Sequence, residues 1–290
     1  MRVLIIGGDG MLGHRLLATL SSRHEVKATL RREAPAYAEF PQLAPDRTFY
    51  GVDVRDGVKV RRVLEEFRPE AVVNAAGIVK QRDAAKDHVD SIAVNALFPH
   101  QLARECRALD ARLIHFSTDC VFSGRQGRYT ERDLPDAGDL YGRSKLLGEV
   151  TDEPRCLTLR TSMIGLELSR HQGLVEWFLA SHGRVKGFRR AVFSGFTTHE
   201  LARLVERLLT RHPDLCGLLH AAAEPIDKYR LLTSLAALLE RRDPVVEPDE
   251  TIVCDRSLDA SAFRQRTGYE PPAWPQMLSE LADAVRARGH

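Results

Sequence analysis

The chain predicts an α/β protein, a doubly wound parallel sheet with a smaller, mostly C-terminal lobe. Three observations carry this. A buried apolar run, Val3 to Ile6, leads into the glycine-rich loop Gly7-Gly8-Asp9-Gly10-Met11-Leu12-Gly13, and Leu16, Leu17 and Leu20 follow at helical spacing. From there to about residue 165 strand-like and helix-like stretches alternate, the signature of a parallel sheet with crossover helices. Beyond residue 165 the alternation loosens into helices at 174–181, 198–210, 228–240 and 275–287, with short strands at 184–188 and 218–220.

Composition narrows the function classes. The 290 residues include 42 Lys+Arg and 40 Asp+Glu, with 43% hydrophobic residues, an ordinary globular balance. A net charge of +2 gives no reason to expect nucleic acid or an anionic membrane as partner. Cys106, Cys120, Cys156, Cys216 and Cys254 are odd in number and scattered, with no C-x-x-C, which fits a reducing cytoplasm. No apolar run reaches membrane-spanning length. The eleven histidines form no H-E-x-x-H or other metal-ligand spacing, so no metal is expected.

Taken in order, the glycines fit both G-x-G-x-x-G and G-x-x-G-x-x-G between a strand and a helix. Early glycines allow a tight turn and close approach of backbone to a pyrophosphate. The last lets the helix pack on the strand, with the helix N-terminus facing the negative charge. This predicts a dinucleotide site over Gly7, Gly10, Met11, Leu12 and Gly13 in a Rossmann-type domain spanning 1–165. A second strand covers Glu25 to Leu30. An NAD site ordinarily has an acid near its end; here stand Arg31 and Arg32, whose guanidinium groups suit a 2′-phosphate, so NADPH is expected, with NADH as the alternative. Residues 33 to 47 read as a proline-containing loop. Phe49 to Val54 reads as a third strand ending at Asp53, and Asp56 caps a helix to Phe67. Ala71 to Gly77 reads as the fourth strand and its exit, where the small residues Ala75, Ala76 and Gly77 let a cofactor lie on the backbone. The charged stretch from Gly77 to Ser91 is either a substrate loop or a solvated connection. A long helix covers Asp90 to Leu109 with Asn95 inside it. The fifth strand is Arg112 to Phe116, and Thr118 follows its C-terminal end, where open α/β sheets gather ligands.

Tyr141 and Lys145 lie four apart in a helix read from Leu140 to Val150, hence on one face. An ammonium beside a phenol favours the phenolate, and a tyrosine so tuned exchanges a proton at an alcohol carbon. A sixth strand runs from Cys156 to Arg160. The remaining residues, 166–290, make up the smaller substrate-binding lobe, and the chain can cross back between the two.

With the glycine loop, Asp53, Asn74-Ala75-Ala76-Gly77, Asn95, Ser117-Thr118-Asp119 and Tyr141…Lys145 in this order, the chain resembles the extended short-chain dehydrogenase/reductase family. Within it the chain looks most like the dTDP-4-dehydrorhamnose reductase group. The segments that carry this are Ser117-Thr118-Asp119-Cys120-Val121-Phe122-Ser123-Gly124, Tyr141 to Glu149, Leu159-Arg160-Thr161-Ser162, Arg256-Ser257-Leu258-Asp259 and Pro272-Ala273-Trp274. The resemblance implies a reductase of a nucleotide-linked 4-keto sugar. Tyr141 would donate the proton, Lys145 would lower its pKa and hold the nicotinamide ribose, and Thr118 would bond the same oxygen. Asn95 would support the proton path, Asp53 and Val54 would sit near the adenine, and Ala75 to Gly77 would lie along the cofactor. Lys80, Cys120, Phe122, Met163 and Gly195 fall where substrate contacts are expected, and a homodimer is a fair expectation.

Four departures fall near the expected sugar pocket. Cys120 replaces a tyrosine, Met163 a tryptophan, Ala76 to Lys80 an A-A-Y loop, and Ser194 to Thr198 a Gly-x-Pro-Thr segment. Cys120 also stands two residues after Thr118, as a proton-exchanging cysteine does in GDP-fucose synthase. An epimerase-reductase with His171 or His182 as partner acid is therefore an alternative. A non-catalytic regulatory subunit of the same fold is another, against which the intact Thr118, Tyr141 and Lys145 count.

Overall fold

A computed structural model describes residues 1–79, 87–169 and 171–289. Two compact units emerge, and the chain passes between them several times. The first comprises 1–117, 139–159 and 202–218; the second comprises 118–138, 160–201 and 219–290. A boundary at residue 165 therefore separates stretches of sequence rather than the units. The short crossing segments carry no compositional mark.

The first unit is built on a sheet whose strands are β1 (Arg2–Ile6), β2 (Glu25–Thr29), β3 (Thr48–Phe49), β4 (Ala71–Asn74), β5 (Arg112–Phe116) and β6 (Cys156–Arg160). Strands β7 (Met163–Ile164), β8 (Arg184–Phe188), β9 (Ala191–Phe193) and β10 (Phe196–Thr197) come next in the chain, before β11 (Gly217–His220). The large sheet has seven strands in the order β11-β6-β5-β4-β1-β2-β3. The pairs linking β3, β2, β1, β4, β5 and β6 are all parallel. The order 3-2-1-4-5-6 is that of the doubly wound dinucleotide-binding fold, as expected, and it reverses between β1 and β4. Ligands of such sheets bind at that reversal.

The helices of the chain are α1 (Gly13–Leu20), α2 (Gly57–Phe67), α3 (His88–Ser91), α4 (Phe98–Ala108), α5 (Leu140–Leu147), α6 (Leu174–Ala180), α7 (Thr198–Arg211), α8 (Lys228–Leu238), α9 (Ser261–Thr267) and α10 (Trp274–Ala287). Asp56 caps α2 as expected, its carboxylate accepting from the amides of Val58 and Lys59. Val60, Leu64 and Phe67 of α2 pack with Leu4 and Ile6 of β1, Val72 of β4 and Leu102 of α4 in one apolar cluster. Full burial of each such side chain contributes about 1.5–3 kcal/mol.

The third strand is shorter than expected, ending at Phe49, because Gly51 adopts φ +67° and turns the chain. The long helix expected from Asp90 is broken. Residues Ile92–Leu97 form a π-helical segment between α3 and α4, closed by the Phe98 amide on the Ala93 carbonyl. The cause is Pro99, which has no N–H to give the Asn95 carbonyl four residues back. The backbone widens there instead.

In the second unit β7 pairs with β10, and β8 with β13 (Val245–Asp249). Strand β9 lies between β12 (Ile226–Asp227) and β14 (Cys254–Asp255). Strand β8 lies at 184–188 as expected, whereas the two- and three-residue strands β7, β9, β10, β12 and β14 lack the length for a readable alternation.

Candidate active site

The first unit presents a cradle at the sheet reversal. Gly7 has φ +86°, and a Cβ there would stand 3.0 Å from the Ala76 backbone. A Cβ on Gly13 would stand 2.0 Å from the Gly7 carbonyl. The loop after β1 therefore tolerates no side chain at either point, and the chain of Ala75 and Ala76 passes directly against it. Gly7 donates to Thr29 Oγ1 at 3.2 Å and Gly8 to the Thr29 carbonyl at 2.9 Å, which fixes the loop to the end of β2. Helix α1 starts at Gly13 with no acid in its first turn. A bare helix N-terminus behind a glycine turn suits a pyrophosphate, so the residues fit a dinucleotide.

Around this cradle the expected cofactor residues take definite places. Leu12 is buried and Met11 half-buried. Arg31 and Arg32 are exposed just past β2. Asp53 and Val54 are half-buried past β3, and both Asp53 oxygens are engaged by Arg55, at 2.9 Å from Nε and 2.6 Å from the terminal guanidinium nitrogen. Those bonds hold the Asp53 carboxyl below its ordinary range. Arg55 reaches on to Asp90. Neither periodicity nor motif marks Arg55; only its place two residues after Asp53 hints at the clamp. Lys80 lies outside the described residues.

Asn95 sits inside the π-helical segment at 1% exposure. Its Oδ1 accepts from the Ile78 amide at 2.9 Å, and its Nδ2 donates to the Ile78 carbonyl at 3.0 Å and to Ser144 Oγ at 3.2 Å. It thus braces the exit of β4 against α5. Gly148 lies against the same turn, where a Cβ would stand 1.9 Å from the Asn95 carbonyl. Asp139 caps α5 through the Gly142 amide. Tyr141 is half-buried and Lys145 buried. The Lys145 ammonium donates to the Phe116 carbonyl at the end of β5, at 2.6 Å. Burial lowers its pKa to about 8, although Glu149 works the other way. Beneath it on β5 stands His115, fully enclosed, whose Nδ1 meets the Asn74 amide at 3.1 Å. Burial, and then the Lys145 charge, hold this histidine neutral. An apolar-looking strand gave no signal of it.

In the second unit Thr118 is 6% exposed and caps a short 3₁₀ turn, its Oγ1 accepting from the Cys120 amide at 3.1 Å. The same hydroxyl donates to Asp119. Cys120 Sγ is 3.8 Å from an Arg256 guanidinium nitrogen, and burial pushes the thiol up to about 12. The histidines weighed as its acid partners are engaged elsewhere: His171 Nδ1 with Glu176 at 3.0 Å and His182 Nδ1 with Asp243 at 2.8 Å. Phe122, expected along the substrate, is wholly buried. Its ring stacks on Tyr129 at 4.1 Å and meets His220 edge-on, with Arg160 at 5.2 Å, so it serves packing. Met163 is half-buried and pairs with Phe196. Gly195 is buried against the Ser162 carbonyl, 2.3 Å from where a Cβ would stand. The Leu258 amide bonds Ser194 Oγ at 2.8 Å, and Ser257 Oγ bonds the Arg128 amide at 2.9 Å. Much of the late Arg256 to Asp259 motif thus ties its own unit together. Among the described residues no cluster of His, Cys, Asp or Glu could hold a metal ion, and no helix is long and apolar enough to cross a membrane.

A doubly wound sheet with a glycine cradle at its reversal and a Tyr-Lys pair on one helix belongs to the short-chain dehydrogenase/reductase class of folds. More particularly, the chain belongs to the family described as RmlD substrate binding domain, which matches residues 1–287. It is 33% identical over 169 residues to the probable low-salt glycan biosynthesis reductase Agl14 of Haloferax volcanii, covering 57% of this chain and 54% of that one. It is 31% identical over 151 residues to methionine adenosyltransferase 2 subunit beta of Bos taurus, covering 51% and 41%. These matches span only about half the length of those relatives. A solved structure of a hypothetical dTDP-4-dehydrorhamnose reductase from Sulfolobus tokodaii superposes with a TM-score of 0.75 at 25% identity, covering 94% of this chain and 98% of that one.

Proposed function

We propose that the protein is an NADPH-dependent reductase of a nucleotide-linked 4-keto sugar, of the dTDP-4-dehydrorhamnose reductase type. The observation that carries this is the buried Lys145 ammonium, held by the Phe116 carbonyl on the Tyr141 helix of the unit that also bears the glycine cradle. The cofactor supplies a hydride to the carbonyl carbon. The chain's own part is to deliver the proton: the Tyr141 hydroxyl gives it to the oxygen that becomes the alcohol. The Lys145 ammonium offsets the negative charge left on Tyr141. Arg31 and Arg32 attract the 2′-phosphate, and Gly7 to Gly13 receive the pyrophosphate.

The Cys120 alternative loses support, because a thiol raised to about 12 beside Asp119 is a poor base at neutral pH. The test is NADPH oxidation followed at 340 nm with dTDP-4-keto-6-deoxy sugars in deuterated water, alongside incorporation of deuterium at the ring carbons of the product. Turnover with no deuterium on ring carbon fits a plain reductase. Label on ring carbon would restore the epimerase-reductase, and no turnover of any keto sugar would favour a binding role.

A further inference from the structure

The end of β2 is where a dinucleotide's adenosine ribose is read. Three carboxylates surround that end, and they are not equivalent. Asp53 is clamped on both oxygens by Arg55. Glu33 is folded onto Gly51, where a Cβ would stand 2.3 Å from its Oε1. Asp9 comes from the phosphate-cradling loop itself, between Gly8 and Gly10.

Tyr37 is one of the groups that hold Asp9. Its ring is buried at 7% exposure and packs on Tyr50 with centroids 6.1 Å apart. Its hydroxyl accepts from the Arg32 amide at 3.3 Å and donates to Asp9 Oδ2 at 3.3 Å. Burial, and then the Asp9 charge, keep that hydroxyl protonated as a donor. One buried phenol thus links the Asp9 carboxylate to the backbone of Arg32. A carboxylate accepts from a ribose hydroxyl and repels a phosphate; guanidinium does the reverse. Asp9 and the Arg32 amide share the Tyr37 hydroxyl, so an acid stands at the chain segment that carries the two arginines.

We propose that Asp9 sets the 2′ specificity of this chain. Its carboxylate accepts from the adenosine-ribose hydroxyl of NADH and opposes the 2′-phosphate that Arg31 and Arg32 attract, so both dinucleotides are taken. The acid that an NAD site carries on its second strand is supplied here by the glycine loop. This rests on the reading of the cradle as a dinucleotide site.

The test is equilibrium binding of NADPH and of NADH, each by nicotinamide fluorescence, to the wild type and to Asp9→Asn. The asparagine keeps an acceptor for Tyr37 and removes the charge. The expected result is that the wild type binds the two within about tenfold of each other. Asp9→Asn should shift the ratio of dissociation constants toward NADPH by about tenfold, the scale of one charge contact a few ångströms away. Raising salt to about 0.5 M should shrink that shift, since the interaction is screened. Asp9→Ser, a smaller side chain, should move the ratio the same way. Tyr37→Phe leaves the charge in place and should move it less. Ratios within twofold of wild type in both Asp9 variants overturn the inference while leaving the reductase reading intact. A wild type that binds neither dinucleotide sinks both.

Discussion

Tyr141 and Lys145 share a helix face but not an environment. Tyr141 is half-buried, and Lys145 is sunk against a strand-end carbonyl. Tyr141→Phe should leave NADPH affinity within about twofold and lower turnover by about 10²–10⁴-fold, the worth of a positioned acid. Steady-state kinetics beside a binding titration checks this. The depressed Lys145 pKa has a consequence for stability as well. Below about pH 8 the lysine is charged in folded and unfolded chain alike, and the folded state bears the full cost of burying it. Between about 8 and the ordinary 10.5 the folded lysine loses its proton first, so the unfolded chain binds more protons. Stability from this group therefore rises as pH climbs through that window, by roughly 3 kcal/mol at most. Urea midpoints of wild type and Lys145→Met, compared at about pH 7.5 and 9.5, should show the extra rise in the wild type only. Arg31→Ala combined with Arg32→Ala should weaken NADPH much more than NADH; equal losses by fluorescence titration would show that the pair merely decorates a turn.

Elements set these residues, and the π-helical segment is the most consequential. Pro99 removes the donor for the Asn95 carbonyl, and Gly148 leaves room for that carbonyl against the end of α5. Gly148→Ala would drive a methyl group into a backbone oxygen. It should cost about 1–3 kcal/mol by denaturant unfolding and lower turnover more than a surface Gly→Ala, because α5 carries Tyr141. A folded variant of wild-type stability would remove Gly148 from this packing. Pattern reading located a helix here but not its interruption. Apolar spacing shifts little across one widened turn, and the cause sits in a proline that pattern reading accepts as ordinary within a long helix. Strand β3 is shorter than its sequence suggests for the converse reason: Phe49 to Val54 looks continuous, and the positive φ of Gly51 turns the chain. Strands β5 and β6, α2 with its Asp56 cap and the start of α5 were legible, since each joins a buried run or cap to a clear period.

At the scale of the whole chain, late sequence completes early structure. Residues 202–218 join the first unit, and Arg112 at the start of β5 fastens them. Its guanidinium, at 3% exposure, donates to the Leu208 carbonyl at 2.5 Å and the Leu215 carbonyl at 3.2 Å. Burial lowers its pKa to about 10, so it stays charged at neutral pH. Arg112→Met would strand both carbonyls away from water and should cost about 2–4 kcal/mol, seen as a lowered thermal midpoint with the sheet's circular dichroism intact. Such a link is invisible in sequence, because nothing near Arg112 forecasts a partner about a hundred residues away. The same holds for the contact of Cys120 with Arg256, whereas the Tyr-Lys pair and the glycine loop were readable because their partners are local. The Asn95 amide works over long separations too. By gripping both polar groups of Ile78 while holding Ser144, it makes the Ile78 backbone N–H a built-in reporter. Its hydrogen-exchange rate rises when the strand exit and the Asn95 turn part company. One resonance can therefore record, in solution and without substrate, how often that brace beside the tyrosine helix opens.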